Sequence, residues 1–117
     1  MTDVTIYHNP RCGKSRQTLK LLRERGIEPE IVEYLKYPPS VDRLDELCTL
    51  LGREPLCIMR VKEARFKELG LSKADERSRR QWLELMHDNP ILMERPIVVT
   101  NGKAALGRPP ESVEDIL

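Results

Sequence analysis

The apolar positions change period several times along this chain, and each change marks an element. Val4-Thr5-Ile6-Tyr7 is a short β-rich run. Asn9-Pro10 stops it, because proline brings no N–H to a ladder and restricts the residue before it. From Ser15 to Arg25, Leu19, Leu21 and Leu22 recur among Lys and Arg. That spacing predicts an amphipathic helix, which Gly26 can end in the left-handed conformation. Glu30-Ile31-Val32-Glu33-Tyr34 then predicts a second strand, so the opening is a β-α-β unit with a parallel pair.

Pro38-Pro39 closes that unit, and the pattern becomes helical. Ser40 can cap a helix with Val41, Leu44, Leu47, Cys48 and Leu51 on one face and Gly52 at its end. Glu54 to Leu69 predicts short broken helices, with Pro55 suited to a first turn. Ser78 and Gln81 form a capping box ahead of Trp82, Leu83, Leu85 and Met86. Strand returns at Pro96-Ile97-Val98-Val99-Thr100, and Asn101-Gly102 predicts a type I′ hairpin into Lys103 to Leu106. Pro110 to Leu117 predicts a two-turn helix with Glu111 in its first turn. The expected architecture is therefore α/β: one domain over 1–117 with a thioredoxin-like four-stranded mixed sheet. Its order is β-α-β, a helical insertion over about 40–88, then β-β-α.

Composition narrows the functions. The 117 residues suffice for one core. Charged residues are 33% of the chain but nearly cancel, leaving a net charge of +1, so neither nucleic acid nor an anionic membrane is expected as partner. No apolar run approaches the ~20 residues of a membrane span, and Met1-Thr2-Asp3 leads straight into the first strand rather than a signal segment. Three cysteines without paired spacing do not make a disulfide framework. A reduced, cytoplasmic setting is expected. No metal is expected, since His8 and His87 are far apart and no cysteine pair has ligand spacing.

The candidate chemistry lies where the first strand breaks. Cys12 falls at the start of the first helix, facing unpaired N–H groups and the positive end of the dipole. Arg11, Lys14 and Arg16 add positive charge around it. A free thiol with pKa about 8.5 is only about 3% ionised at pH 7, and these surroundings favour the thiolate. The loop after the first strand opens at the carboxyl edge of the sheet, where α/β folds bind ligands. Arg95 precedes Pro96 at the third strand, Arg108 follows the fourth, and Arg60 ends the apolar run Leu56-Cys57-Ile58-Met59. In a thioredoxin-type sheet the X-Pro bond entering the third strand is commonly cis and packs against the cysteine loop. Converging guanidinium groups would make a site for a tetrahedral oxyanion, each offering a planar fork of donors. Cys48, on the apolar stripe of its helix, is expected in the core, and Cys57 is expected to be buried too. His87 suits a helix end. His8 either satisfies backbone groups or shares a hydrogen-bond network with Cys12.

The run His8-Asn9-Pro10-x-Cys12-Gly13-x-Ser15-Arg16, the pair Met59-Arg60, the block Asn89-Pro90-Ile91-Leu92-x-x-Arg95-Pro96-Ile97-Val98-Val99 and Arg108-Pro109 together resemble the glutathione- and glutaredoxin-dependent arsenate reductases. The resemblance spans essentially the whole chain. It implies that Cys12 is the nucleophile, that Arg60, Arg95 and Arg108 bind the oxyanion, and that His8 and Ser15 help keep Cys12 ionised. It also implies arsenate as substrate, glutathione as co-substrate, glutaredoxin as reducing partner, no tightly bound cofactor, and a monomer. Met59 replaces a leucine common in that family, Lys14 stands where a small hydroxyl residue is familiar, and some members carry a C-terminal extension beyond the equivalent of Leu117.

The chemistry is consistent with the residues. A thiolate can attack arsenic once arginines offset the charge of the oxyanion. Ser15 stands where a dithiol oxidoreductase has its second cysteine, so the resolving thiol must come from outside. Two rival functions remain at this level. One is a regulator resembling the Spx proteins that bind RNA polymerase, which share the Arg-Pro-Ile block but typically carry a Cys-x-x-Cys switch. The other is a glutathione-linked thiol oxidoreductase of this fold with another substrate.

Overall fold

The computed structural model describes residues 3–117. Met1 and Thr2, which the sequence pattern runs into the first strand, lie outside the described residues. The chain forms two compact units, one comprising Met1–Tyr37 with Arg95–Leu117 and the other Pro38–Glu94. The helical segment expected over about 40–88 lies within the second unit.

The first unit carries the sheet. It contains β1 (Thr5–His8), α1 (Gly13–Glu24), β2 (Glu30–Glu33), β3 (Ile97–Thr100), β4 (Lys103–Leu106) and a 3-10 helix over Pro110–Ile116. The strand order is β2-β1-β3-β4, with β1 parallel to β2 and the other neighbours antiparallel. Val4, Ile6, Leu19, Leu22, Val98 and Val113 form the core between sheet and helices. Asn101 and Gly102 take positive φ values of 54° and 69°, as a type I′ turn requires. At the end of α1, Gly26 is left-handed at φ 76°. Ile27 N–H reaches the Leu22 carbonyl at 2.9 Å and Gly26 N–H reaches that of Arg23 at 3.0 Å, closing a Schellman motif. The last predicted helix is 3-10 rather than α. Ser112 N–H bonds the Pro109 carbonyl and Leu117 N–H that of Glu114, three residues back.

Strand register aligns one end of this sheet. Tyr7 pairs with Ile97, and Ile97 pairs with Leu106. The chain leaving β1, the chain entering β3 and the chain leaving β4 therefore share an edge. Those three segments carry Cys12, Arg95 and Arg108.

The second unit is helical: α2 (Val41–Leu51), a 3-10 turn at Pro55–Ile58, α3 (Ala64–Glu68), α4 (Arg79–Asp88) and a 3-10 turn at Pro90–Leu92. Ser40 caps α2 by accepting from Arg43 N–H at 3.1 Å, and Gly52 ends it at φ 65°. Ser78 and Gln81 complete the predicted capping box of α4. The helices α2 and α4 pack together, and Arg79 binds Asp45 at 2.6 Å between them. Trp82 stacks on Phe66 with ring centroids 6.4 Å apart. A single antiparallel bridge joins Met59 to Met93, and Arg60 N–H donates to the Leu92 carbonyl at 2.7 Å.

Candidate active site

Cys12 is held by a compact loop. Asn9 makes the turn: its carbonyl accepts Cys12 N–H and its side-chain Oδ1 accepts Arg11 N–H, both at 3.0 Å. Cys12 is the N-cap of α1 rather than a residue of its first turn, with φ −93° and ψ 123°. Its carbonyl accepts Arg16 N–H at 3.0 Å, starting the helix. The Arg16 guanidinium then folds back onto the Pro10 carbonyl at 2.9 Å. The thiol makes no formal capping bond, but it lies where orphan amides at the helix start face it.

Burial pushes the Cys12 thiol up and is the largest single influence on it. The Ser15 N–H, the charge of Arg95, the Lys14 N–H and the Arg95 donor together outweigh it, so the pKa falls below the ordinary thiol value. Arg95 is the side chain that stabilises the thiolate. Arg11, read from the sequence as a cationic neighbour, is exposed.

Behind the loop, the buried Ser15 hydroxyl meets His8 Nδ1 at 2.6 Å and accepts Asn9 N–H at 3.0 Å. Burial lowers the His8 pKa, helped by the charges of Arg23 and Arg16 and opposed by Glu33. The shift favours the neutral imidazole. Of the two roles open to it in the sequence, His8 takes part in a network, and that network ends on the loop rather than on the sulfur.

The Arg95-Pro96 and Arg108-Pro109 bonds are both cis. Arg95 Nε is a buried donor with no acceptor among the described residues. Arg108 stands across from it, with Nη1 donating to the Arg95 carbonyl at a long 3.4 Å. Gly107 explains the closeness of the two segments. A Cβ there would overlap Thr18 Oγ1 and would lie 2.7 Å from Pro96 Cγ, while Gly107 N–H reaches the Pro96 carbonyl at 2.9 Å. Gly107 was missed in the sequence, where a lone glycine before Arg-Pro signals only a loop.

Arg60 belongs to the other unit. Its Nη1 pairs with Glu63 Oε2 at 2.9 Å and approaches the Ile91 carbonyl at 3.4 Å. Cys48 is fully buried, as expected, and burial pushes its thiol up to about 11. Cys57, expected to be buried, is instead exposed. In the 3-10 turn the inward positions are Pro55 and Ile58, three residues apart, and Cys57 falls between them on the outer side. His87 ends α4 and bonds the Pro39 carbonyl through Nδ1 at 2.7 Å.

A cysteine at a helix start whose pKa is lowered, with a donor-rich arginine and a second arginine beside it, is a site for a nucleophile and an anion. The pattern of the ArsC family matches residues 7–116 of this chain. The chain belongs to the ArsC family. An arsenate reductase of Neisseria meningitidis is 47% identical over 118 aligned residues, covering 100% of both proteins. The uncharacterized protein YfgD of Escherichia coli strain K12 is 52% identical over 116 residues, covering 98% of this chain and 97% of its own. Among solved structures, an arsenate reductase from Vibrio cholerae superposes with a TM-score of 0.93 at 49% identity, covering 97% of each chain. The thioredoxin-like fold expected from the element order is the fold observed. No helix among the described residues is long and apolar enough to cross a membrane.

Proposed function

We infer that this protein is an arsenate reductase in which Cys12 is the nucleophile. The observation that carries the reading is the Cys12 thiol, held below its ordinary pKa by main-chain amides and Arg95 at the sheet edge that also carries Arg108. The buried, unmatched Nε of Arg95 is a donor that an arsenate oxygen would accept. Arg108 shares the charge of the oxyanion.

The Cys12 thiolate attacks As(V), forming an S–As bond, and one arsenate oxygen leaves as water once protonated. No second thiol follows within the loop, because position 15 is serine, its hydroxyl engaged with His8 and Asn9. Glutathione therefore attacks the Cys12 sulfur. An S–S bond forms, the S–As bond breaks, and its electron pair stays on arsenic, which leaves as As(III). Two thiols have then become one disulfide, matching the two electrons gained by arsenic. Glutaredoxin removes the glutathionyl group and restores the Cys12 thiolate. Thiol donors of this kind place the reaction in a reducing compartment such as the cytoplasm. One chain supplies every residue of the scheme, so a monomer suffices.

The test is arsenite release from arsenate by the purified protein with glutathione and glutaredoxin, compared with Cys12→Ser. The native protein should turn over and the variant should not. A folded native protein with a reactive Cys12 but no arsenite release would overturn the reading, as would turnover by Cys12→Ser.

A further inference from the structure

One face of α1 carries charges that the fold leaves partly unmatched. Lys20, Arg23 and Glu24 follow Arg16 by four, seven and eight residues, a spacing that gathers them on one side of the helix. All four are exposed, and with Pro10 they line a cleft of about 550 Å³. That lies within the ~300–1,000 Å³ of small-molecule sites. The matching of charge along it is uneven. Arg23 is held by Glu28, Nη2 to Oε1 at 2.9 Å. Arg16 commits only Nη1, to the Pro10 carbonyl at 2.9 Å, and its other nitrogens meet no acceptor among the described residues. Lys20 and Glu24, one turn apart, have no partner among the described residues, each other included. The cleft thus offers two cations and one carboxylate with nothing opposite them.

This cleft begins at the Cys12 loop. Pro10 and Arg16, joined by their hydrogen bond, precede and follow Cys12 by two and four residues. It also runs along the flank of α1 away from Arg95. Thr18 marks the Arg95 side, because it faces Gly107 next to the Pro96 ring. Arg16 and Lys20, two residues to either side of Thr18, stand about 160° round the helix from it. That separation matters for the second chemical step. The arsenic bound to Cys12 lies toward Arg95, and a thiolate attacking the sulfur approaches in line, from the side opposite the S–As bond. As the S–S bond forms, the S–As bond breaks and its electron pair stays on arsenic.

We propose that the cleft along Arg16, Lys20 and Glu24 binds the peptide body of glutathione. This rests on the reading of the protein as an arsenate reductase resolved by that thiol. Glutathione carries two carboxylates and one ammonium at neutral pH, the complement of the unmatched groups. Arg16 and Lys20 take the carboxylates, and Glu24 takes the ammonium. A simple dianion has nothing to offer Glu24 and is disfavoured by it.

S-methylglutathione, which has no free thiol, is the probe, and its binding to the native protein is followed by NMR titration without arsenate. Saturable binding is expected, with amide shifts centred on the Cys12 loop and α1. Lys20→Glu reverses a charge of the cleft and should weaken binding roughly tenfold, and Lys20→Ala roughly threefold. Glu24→Lys should weaken it as well, because it opposes the ammonium, although it makes the cleft more positive. Absence of saturable binding, native affinity in Lys20→Glu, or tighter binding in Glu24→Lys would each overturn the proposal, the last by revealing a general anion patch. Circular dichroism checks folding. If Lys20→Glu does not fold, Lys20→Ala carries the comparison, since alanine favours the helix. In turnover, kcat/KM for glutathione relative to that for uncharged 2-mercaptoethanol should fall in Lys20→Glu by about the same tenfold. An equal fall with both thiols would overturn the proposal. A native protein that releases no arsenite with either thiol would overturn the arsenate reading instead, and the titration would still decide the cleft.

Discussion

The Ser15 hydroxyl lies 2.6 Å from His8 Nδ1, tying the last residue of β1 to the first turn of α1 across the loop that holds Cys12. The same oxygen accepts Asn9 N–H at 3.0 Å, so one buried hydroxyl closes the loop from both sides. The Ser15 side chain thus shapes the loop, while its main-chain N–H is the group that acts on the thiol. Ser15→Ala should therefore cost stability more than thiolate character. Leaving His8 and the Asn9 amide unmet in a buried place should destabilise by about 1–3 kcal/mol. Chemical denaturation and the pH profile of Cys12 alkylation check this together. An unchanged denaturation midpoint would remove the loop-tie argument.

The pH profile of Cys12 distinguishes Arg95 from Arg11. A thiolate held below its ordinary pKa alkylates increasingly as pH rises and levels off once deprotonated, with the inflection below the free-thiol value of about 8.5. Arg95→Gln removes both a charge and a donor from the sulfur, so the inflection should move up. Arg11→Ala should move it less, because that side chain is exposed and solvent screens its charge. Arg95→Lys keeps the charge but loses the planar fork, and catalytic efficiency should fall by roughly ten- to a hundredfold. Equal shifts from Arg11→Ala and Arg95→Gln would place the stabilising charge in the wrong residue.

The sheet and its edge were readable because they follow from local rules. Asn101-Gly102 specifies a hairpin, a β-α-β opening specifies a parallel pair, and together they bring the chain after Tyr7 beside Arg95 and Arg108. The caps at Ser40 and Ser78 were equally plain, since capping depends on residues three apart. What escaped depended on direction in space. Cys57 sits in apolar company in sequence, yet the three-residue period of a 3-10 turn sends it outward. The pairing of Glu63 with Arg60 was likewise hidden, because Glu63 looks like an ordinary helix start.

Cys48 and Cys57 should both be dispensable for turnover, for different reasons. Burial drives the Cys48 thiol to about 11, leaving almost none of it ionised at neutral pH. Cys57 is exposed, so it will react with alkylating agents and must be told apart from Cys12 by peptide mapping. The double change Cys48→Ala with Cys57→Ala should keep most of the arsenite release, while Cys12→Ser keeps none. A folded double variant without activity would reveal a resolving cysteine within the chain, and glutathione would lose its assigned step.

Gly107 offers a test of how closely the two arginine segments must approach. Its hydrogen atoms face Thr18 on α1 and the ring of Pro96, with no room for a methyl group. Thr18 cannot easily yield, because it is buried and its hydroxyl is bonded to the Lys14 carbonyl at 2.8 Å. Pro96 cannot yield either without moving Arg95 beside Cys12. Gly107→Ala should therefore destabilise by about 1–3 kcal/mol through overpacking. The strain also has a direction, since relief by pushing the segment outward carries Arg108 away from Arg95. Arsenate KM should rise in Gly107→Ala even at temperatures where the variant is fully folded. The change leaves the charges of Arg95 and Arg108 as they are, so a KM increase would report distance alone. Native stability and native KM in this variant would show that the close approach at Gly107 is not what sets the arginine pair.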